Sequence, residues 1–204
     1  MRILVVAATP FEVDALDLSS KTPNIELLIT GVGMVATAFV LGKHLATNAY
    51  DLAINLGIAG SFDRNIALGE VVEVTDDRFS ELGAEDGDDF LSIDQLGFGE
   101  STFNSTCQLP PAFGLRQARS ITVNTVHGNE ESIRKIGISA QLESMEGAAF
   151  FYACKQAGLP AIQIRAVSNY VERRNRDAWQ IGLAIKNLNT FAAHLFVEGN
   201  MLKQ

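Results

Sequence analysis

The sequence predicts an α/β fold, a three-layer sandwich whose central, mostly parallel or mixed sheet is flanked by helices. Three observations predict it. Strand-like and helix-like segments alternate along the chain. Several strand segments are apolar on both faces, as strands covered from both sides are. Apolar residues make up 47% of the 204 residues and charged residues 20%, so a full core is available and disorder of the whole is excluded.

The elements follow in order. Residues 2–8 are a continuous apolar run with β-branched members, a buried strand that ends at Thr9-Pro10. Proline suits the first turn of a helix, where its missing N–H would have no partner. With Thr9 as cap, a helix is expected over 10–18. Residues 25–30 form a strand leading into Gly31-Val32-Gly33. The helix after it carries Val35, Ala38, Phe39, Leu41 and Leu45 on its apolar side. Residues 52–56 are a strand that runs into Gly57-Ile58-Ala59-Gly60-Ser61. Residues 71–74 and 120–126 are further strands. A helix over 146–157 stops at Gly158-Leu159-Pro160. A strand over 161–168 and a long helix over 177–197 complete the pattern. Residues 76–114 are expected to be the least ordered. Their run Glu85-Asp86-Gly87-Asp88-Asp89 reads as a solvated acidic loop, or else as a lid or a partner-facing segment. No repeat, linker or boundary divides residues 1–204, so one domain is expected.

Charge and composition narrow the function. Sixteen basic residues against 24 acidic ones give a net charge of −8. No basic stripe is available for nucleic-acid phosphates. No apolar run is long enough to span a bilayer, and the first is too short for a signal peptide. Cys107 and Cys154 do not make a disulfide framework, so a cytoplasmic chain with free thiols is expected.

In such folds ligands sit at the carboxyl ends of strands. Gly31-Val-Gly-Met-Val-Ala36 lies at the second strand, not the first, and lacks the later acidic residue of a dinucleotide site. A tight turn near a small ligand fits it better. His44, His127 and His194 are scattered without metal-ligand spacing, so no metal and no cofactor are expected. His127, at a strand end, is the most interesting of them. Glu12 and Asn169 stand at strand ends, and Glu146 opens a helix directly after a short segment. Taken singly, the two glutamates can be charges set against a helix dipole, and Asn169 a turn residue. Their combination and order on this fold carry more.

These residues resemble the purine nucleoside phosphorylase and nucleosidase superfamily. The resemblance rests on the opening strand with Glu12, Thr30-Gly-Val-Gly-Met-Val-Ala-Thr37, Asn55-Leu-Gly-Ile-Ala-Gly-Ser61, Ser144-Met-Glu-Gly-Ala148 and Arg165-Ala-Val-Ser-Asn169. It implies that Glu12 is the general base for an attacking water and that Glu146 accepts from the ribose 2′ and 3′ hydroxyls. It implies that Met145 packs on the sugar, and that Arg165 holds the charge of the carboxylates. The partner implied is a small-molecule nucleoside, and the chain is expected to act as a homodimer or larger homo-oligomer.

Two departures sharpen the reading. Methylthioadenosine nucleosidases carry Asp where this chain has Asn169. An amide can donate to O6 or N7 of a 6-oxopurine, whereas an ionised carboxylate would repel O6. The superfamily turn Gly-Ser-Ala-Gly is here Gly57-Ile58-Ala59-Gly60, and Ile58 removes a hydroxyl that phosphorylases use near phosphate. Water is therefore favoured over phosphate. A nucleosidase with this Asn resembles the futalosine hydrolase family, as do Gly83-Ala-Glu-Asp-Gly87 and the segment from Val171 to Trp179. That resemblance implies release of hypoxanthine from an inosine derivative extended at its 5′ end by a carboxyphenyl ketone. Phe11, Trp179 and aromatics of residues 90–103 could line a slot for the extension, although Trp179 serves equally as a helix-packing anchor. Arg173, Arg174 or Arg176 could meet its carboxylate, or form a solvated turn. The rivals are a methylthioadenosine/S-adenosylhomocysteine nucleosidase, a phosphorylase and a non-catalytic nucleoside-binding protein.

Overall fold

The computed structural model describes residues 1–16, 24–136 and 140–197. Its strands are β1 (Ile3–Ala7), β2 (Ile25–Ile29), β3 (Leu52–Ser61), β4 (Val71–Phe79), β5 (Gly83–Asp86), β6 (Asp89–Ser92), β7 (Thr102–Asn104), β8 (Arg116–Thr122), β9 (Leu142–Ser144) and β10 (Ala161–Tyr170). The helices are α1 (Met34–Leu45), α2 (Glu130–Lys135), α3 (Gly147–Gln156) and α4 (Ile181–Val197). Among the described residues one sheet holds eight strands. Within it β10, β4, β8, β9 and β3 pair in a closed ring, because β3 also pairs with β10. From β3 the sheet continues through β1 to β2. The sheet is mixed: β1, β2, β3 and β10 run parallel, while β4 lies antiparallel to β10.

Period-two alternation assigns the two faces. Leu4 and Val6 point into a core with Leu41 of α1 and Phe150 of α3. Ile3, Val5 and Ala7 point the other way, toward Ala184, Leu188 and Leu195 of α4. This is why residues 3–7 read as a run apolar on both faces, and all five are buried. The two ten-residue strands β3 and β10 lie side by side, with a bulge between Val167 and Asn169. The bulge shifts the register at the very end of β10.

Several expectations need correction. The helix expected over 10–18 is a single 3-10 turn, Pro10–Glu12, and residues 17 and 18 lie outside the described residues. The strand expected over 120–126 is β8, displaced toward the N-terminus. The final helix starts at Ile181, because a separate 3-10 turn takes Arg176–Ala178. Residues 76–114 are not a plain loop. They finish β4, form the β5–β6 hairpin and add β7 to the sheet edge. The acidic run itself is solvent-exposed, which lets β5 and β6 carry like charges. On α1 the apolar side splits: Leu41 is buried, while Val35 and Phe39 are 77% and 70% exposed.

Candidate active site

Four strand ends deliver the site. Glu12 closes the 3-10 turn after β1 and is buried. Its Oε2 accepts from the Thr9 N–H at 2.9 Å and the Thr9 hydroxyl at 3.2 Å. Its Oε1 accepts from the Ile58 N–H at 3.2 Å, which ties it to β3. Burial raises the Glu12 pKa. The Arg165 guanidinium and the two backbone N–H groups oppose the rise, and the Glu146 charge adds to it. A carboxyl placed this way is a stronger proton acceptor than an exposed one, provided it is ionised.

Arg165 sits on β10 opposite Gly57 of β3 and is 1% exposed. Its Nη2 donates to Asn55 Oδ1 at 2.6 Å and to Gln163 Oε1 at 3.0 Å. Its buried Nε has no hydrogen-bond partner among the described residues. A methyl group on Gly57 would stand 2.0 Å from Arg165 Nη1 and 3.0 Å from Glu12 Oε1. Base and guanidinium therefore converge over a residue that has to lack a side chain.

Glu146 precedes α3 and is buried. It does not cap its own helix. Its Oε1 accepts from the Gly33 N–H at 2.9 Å and its Oε2 from the Met145 N–H at 3.3 Å. Gly33 has φ +97° and ψ 156°, backbone open to glycine alone, so the Gly31-Val-Gly33 turn serves to aim an amide at this carboxylate. The α3 amides go elsewhere: Gly147 N–H to Ser144 Oγ, and Ala148 N–H to Thr122 Oγ1 at 2.7 Å.

Asn169 ends β10 past the bulge. Its Oδ1 accepts from Ser168 Oγ at 2.9 Å and its Nδ2 donates to the Tyr170 carbonyl at 3.1 Å. One N–H of the amide is left over. Gly60 pairs with Asn169, and a methyl group there would meet Asn169 Nδ2 at 3.2 Å and Val171 Cγ2 at 2.9 Å. Ile58, Ala59 and Gly60 thus form the strip of β3 between Glu12 and Asn169. Met145, half-buried, adjoins Glu146 in the chain.

Trp179 stands apart. It is half-buried under Arg174 and Arg176, whose guanidinium carbons lie 5.5 and 5.9 Å from its ring. The neighbouring Gln180 N–H binds the Ser168 carbonyl at 2.7 Å, its link to the end of β10. Phe11 is solvent-exposed. Two clefts flank the carboxylates without including them in their walls. One, of about 790 Å³, begins at Met34 and Val35 and is walled by Phe39, Phe98 and Tyr152. The other, of about 670 Å³, runs from Val171 along Arg173 and Arg174 to α2. Among the described residues no group of three His, Cys, Asp or Glu could hold a metal, and no helix is long and apolar enough to cross a membrane.

Sequence reasoning marked the turns of Gly33 and Gly57 and quoted Asn55 within a motif, but it gave no role to Asn55 and did not single out Gln163 or Asp77. The signal for Gln163 and Arg165 is a polar residue at alternate positions of an otherwise apolar strand. Asp77 was hidden in an acidic stretch read as loop.

Comparison with known proteins identifies the family and the fold. Residues 117–197 match the model of the phosphorylase superfamily. The chain is 32% identical to a futalosine hydrolase of Streptomyces coelicolor over 92% of each chain. It shares its fold with the 5′-methylthioadenosine/S-adenosylhomocysteine nucleosidase of Neisseria meningitidis, solved with methylthio-immucillin-A. That match has a TM-score of 0.80 at 18% identity and covers 97% of this chain and 99% of the other. The futalosine hydrolase of Helicobacter pylori matches at a TM-score of 0.77 and 12% identity, covering 100% of this chain and 98% of the other.

Proposed function

The chain belongs to the phosphorylase superfamily, in its N-glycosyl hydrolase branch with the futalosine hydrolases, and from that premise we propose that it hydrolyses the N-ribosidic bond of futalosine to release hypoxanthine. The observation that carries the reading is the pairing at Gly57, which puts a buried, backbone-oriented carboxylate beside a buried guanidinium. In the proposed reaction Glu12 takes a proton from water as its oxygen bonds to C1′. The C1′–N9 electron pair leaves with the base, which gains a proton from solvent while Glu12 returns to solvent the one it took, so that one water is consumed. Glu146 accepts from the ribose diol, for which a carboxylate with free lone pairs is suited. Arg165 holds the charge of Glu12, and Met145 packs on the sugar. The spare N–H of Asn169 donates to O6 or N7 of the leaving base. Ile58, Ala59 and Gly60 form the floor. Ile58 offers no hydroxyl for a phosphate, which favours water. Trp179 is assigned to the wall of the 5′ slot.

The same reading treats residues 1–204 as one catalytic domain acting in the cytoplasm without cofactor. It also makes the protein a homo-oligomer, in which a second copy covers the exposed Val35 and Phe39 of α1.

The test is incubation with futalosine, methylthioadenosine and inosine, each with and without phosphate, with free base followed by chromatography. Hypoxanthine from futalosine in the absence of phosphate is expected. Adenine from methylthioadenosine would give the site to the nucleosidases of that substrate, and strict phosphate dependence would make it a phosphorylase. Glu12→Gln is expected to lower kcat by roughly 10² to 10⁴. A loss under tenfold removes Glu12 from the role of base.

A further inference from the structure

We propose that Asp77 is a positioning residue for this hydrolysis, acting through Gln163 on Arg165 and through Thr122 on the start of α3. The inference rests on the hydrolase reading and adds a residue that contacts no substrate. Asp77 is fully buried on β4. Its Oδ2 accepts from Gln163 Nε2 at 2.9 Å, and its Oδ1 accepts from Thr122 Oγ1 at 2.8 Å. Gln163 Oε1 in turn accepts from Arg165 Nη2 at 3.0 Å. Thr122 Oγ1 also accepts the Ala148 N–H at 2.7 Å, in the first turn of α3.

The polarity of this chain of bonds is fixed at one end. An ionised Asp only accepts. Gln163 must therefore turn its NH₂ to Asp77 and its carbonyl to Arg165. A flipped amide would set donor against donor at Arg165. Arg165 Nη2 is thereby held by Gln163 together with Asn55, whose Nδ2 is itself anchored to the Val6 carbonyl at 2.9 Å. The space is cleared by a second glycine. A methyl group on Gly147 would lie 2.0 Å from Asp77 Oδ2 and 2.1 Å from Gln163 Oε1. Gly147 directly follows Glu146, so Asp77 packs against the backbone next to that carboxylate and reaches the first turn of α3 through Thr122.

The burial is expensive. Desolvation pushes the Asp77 carboxyl up to about 6, against its bonds to Gln163 and Thr122 and the charge of Arg165. A charge kept there at a cost needs a use, and the geometry supplies one. It couples the water side of the site, at Arg165 and Glu12, to the sugar side, at α3 and Glu146. The charged groups acting on Glu12 are Arg165 and Glu146, and the one acting on Asp77 is Arg165.

Gln163→Met tests this with Asp77 and the charge count kept, and Asp77→Asn tests it with the charge removed. In Gln163→Met, kcat on futalosine should fall roughly tenfold or more with KM within about threefold. The Glu12 carboxyl, followed by ¹³C NMR and assigned with Glu12→Gln, should titrate about half a pH unit higher, because Arg165 is held less firmly against it. Asp77→Asn should likewise lose kcat rather than KM. A drop in Tm with kcat and the Glu12 titration unchanged would overturn the proposal and leave Asp77 as an anchor of α3. Wild-type protein that releases no base from any nucleoside would instead defeat the hydrolase reading. The NMR titration needs no substrate, so it judges Asp77 in either case.

Discussion

Asn169 and Asp77 show how much one heavy-atom exchange can carry at buried positions. At Asn169, replacing the amide with a carboxylate removes the Nδ2 donor and, in the proposed reading, sets a charge against O6 of a 6-oxopurine. Asn169→Asp should therefore lower kcat/KM for futalosine by about 10², the usual loss when a donor to developing negative charge is removed. It should favour the 6-amino analogue by comparison. Equal treatment of both bases by parent and variant would end the base-reading argument. At Asp77 the readout is stability. Its folded pKa of about 6 lies above the ordinary 3.8, so between those values the folded state binds more protons than the unfolded one. Unfolding free energy therefore falls as pH rises from about 4 to about 6 and is level beyond. The shift corresponds to roughly 3 kcal/mol at 1.36 kcal/mol per pH unit. Urea titrations should show this slope in the wild type and its loss in Asp77→Asn. A difference between the two proteins that does not change with pH would contradict the assignment.

At the scale of elements, β3 and β10 do most of the placing. Their register sets Arg165 against Gly57 and Asn169 against Gly60, and both glycines are open where side chains from β10 need room. Gly57→Ala forces Arg165 from between Asn55 and Gln163. It should cost about 1–3 kcal/mol, as overpacking does, with kcat down at least roughly tenfold. Gly42 in α1 is the contrast: beyond its own helix backbone and chain neighbours, none of the described residues lies within 4 Å of an added methyl. Gly42→Ala should raise stability by about 0.5–1 kcal/mol and leave kcat unchanged. Thermal melts and turnover on one substrate separate the two cases. This level also marks what could be read in advance. The strands were legible because burial on both faces leaves unbroken apolar runs, and α3 because Gly158-Leu159-Pro160 stops it. Glu12 and Asn169 were legible as polar residues at strand ends, and Glu146 as a carboxylate opening a helix. The 3-10 turn was not, because Pro10 starts an α-helix and a 3-10 turn equally well. The β5–β6 hairpin was not, because its side chains face water and show no buried period. The Asp77–Gln163–Arg165 line was not, since it is made across two strands, β4 and β10, and its Asp77–Gln163 bond joins residues 86 apart in sequence.

At the scale of the molecule, α1 raises the question of what its outer face meets. Its inner side, at Leu41, is core, yet Val35 and Phe39 stand in solvent beside Phe98, which is 81% exposed. Together with Met34 and Tyr152 they wall the cleft that starts next to Gly33, the residue that holds Glu146. Apolar surface gathered in one patch rather than scattered is the kind that associates. A second copy seated there would cover α1 and close the cleft near the sugar end of the site. The net charge of −8 opposes self-association at long range, and screening by salt relieves it. Sedimentation equilibrium at micromolar protein should therefore show a dimer or larger species whose dissociation constant falls as salt rises. Phe39→Glu should shift it to monomer, since it places a charge in the patch. KM for futalosine should rise in that variant more than KM for inosine, because the 5′ extension needs a longer enclosed slot. A wild-type monomer under these conditions would refute the oligomer. A dimer insensitive to Phe39→Glu would move the contact to another face and free α1 from any part in closing the site.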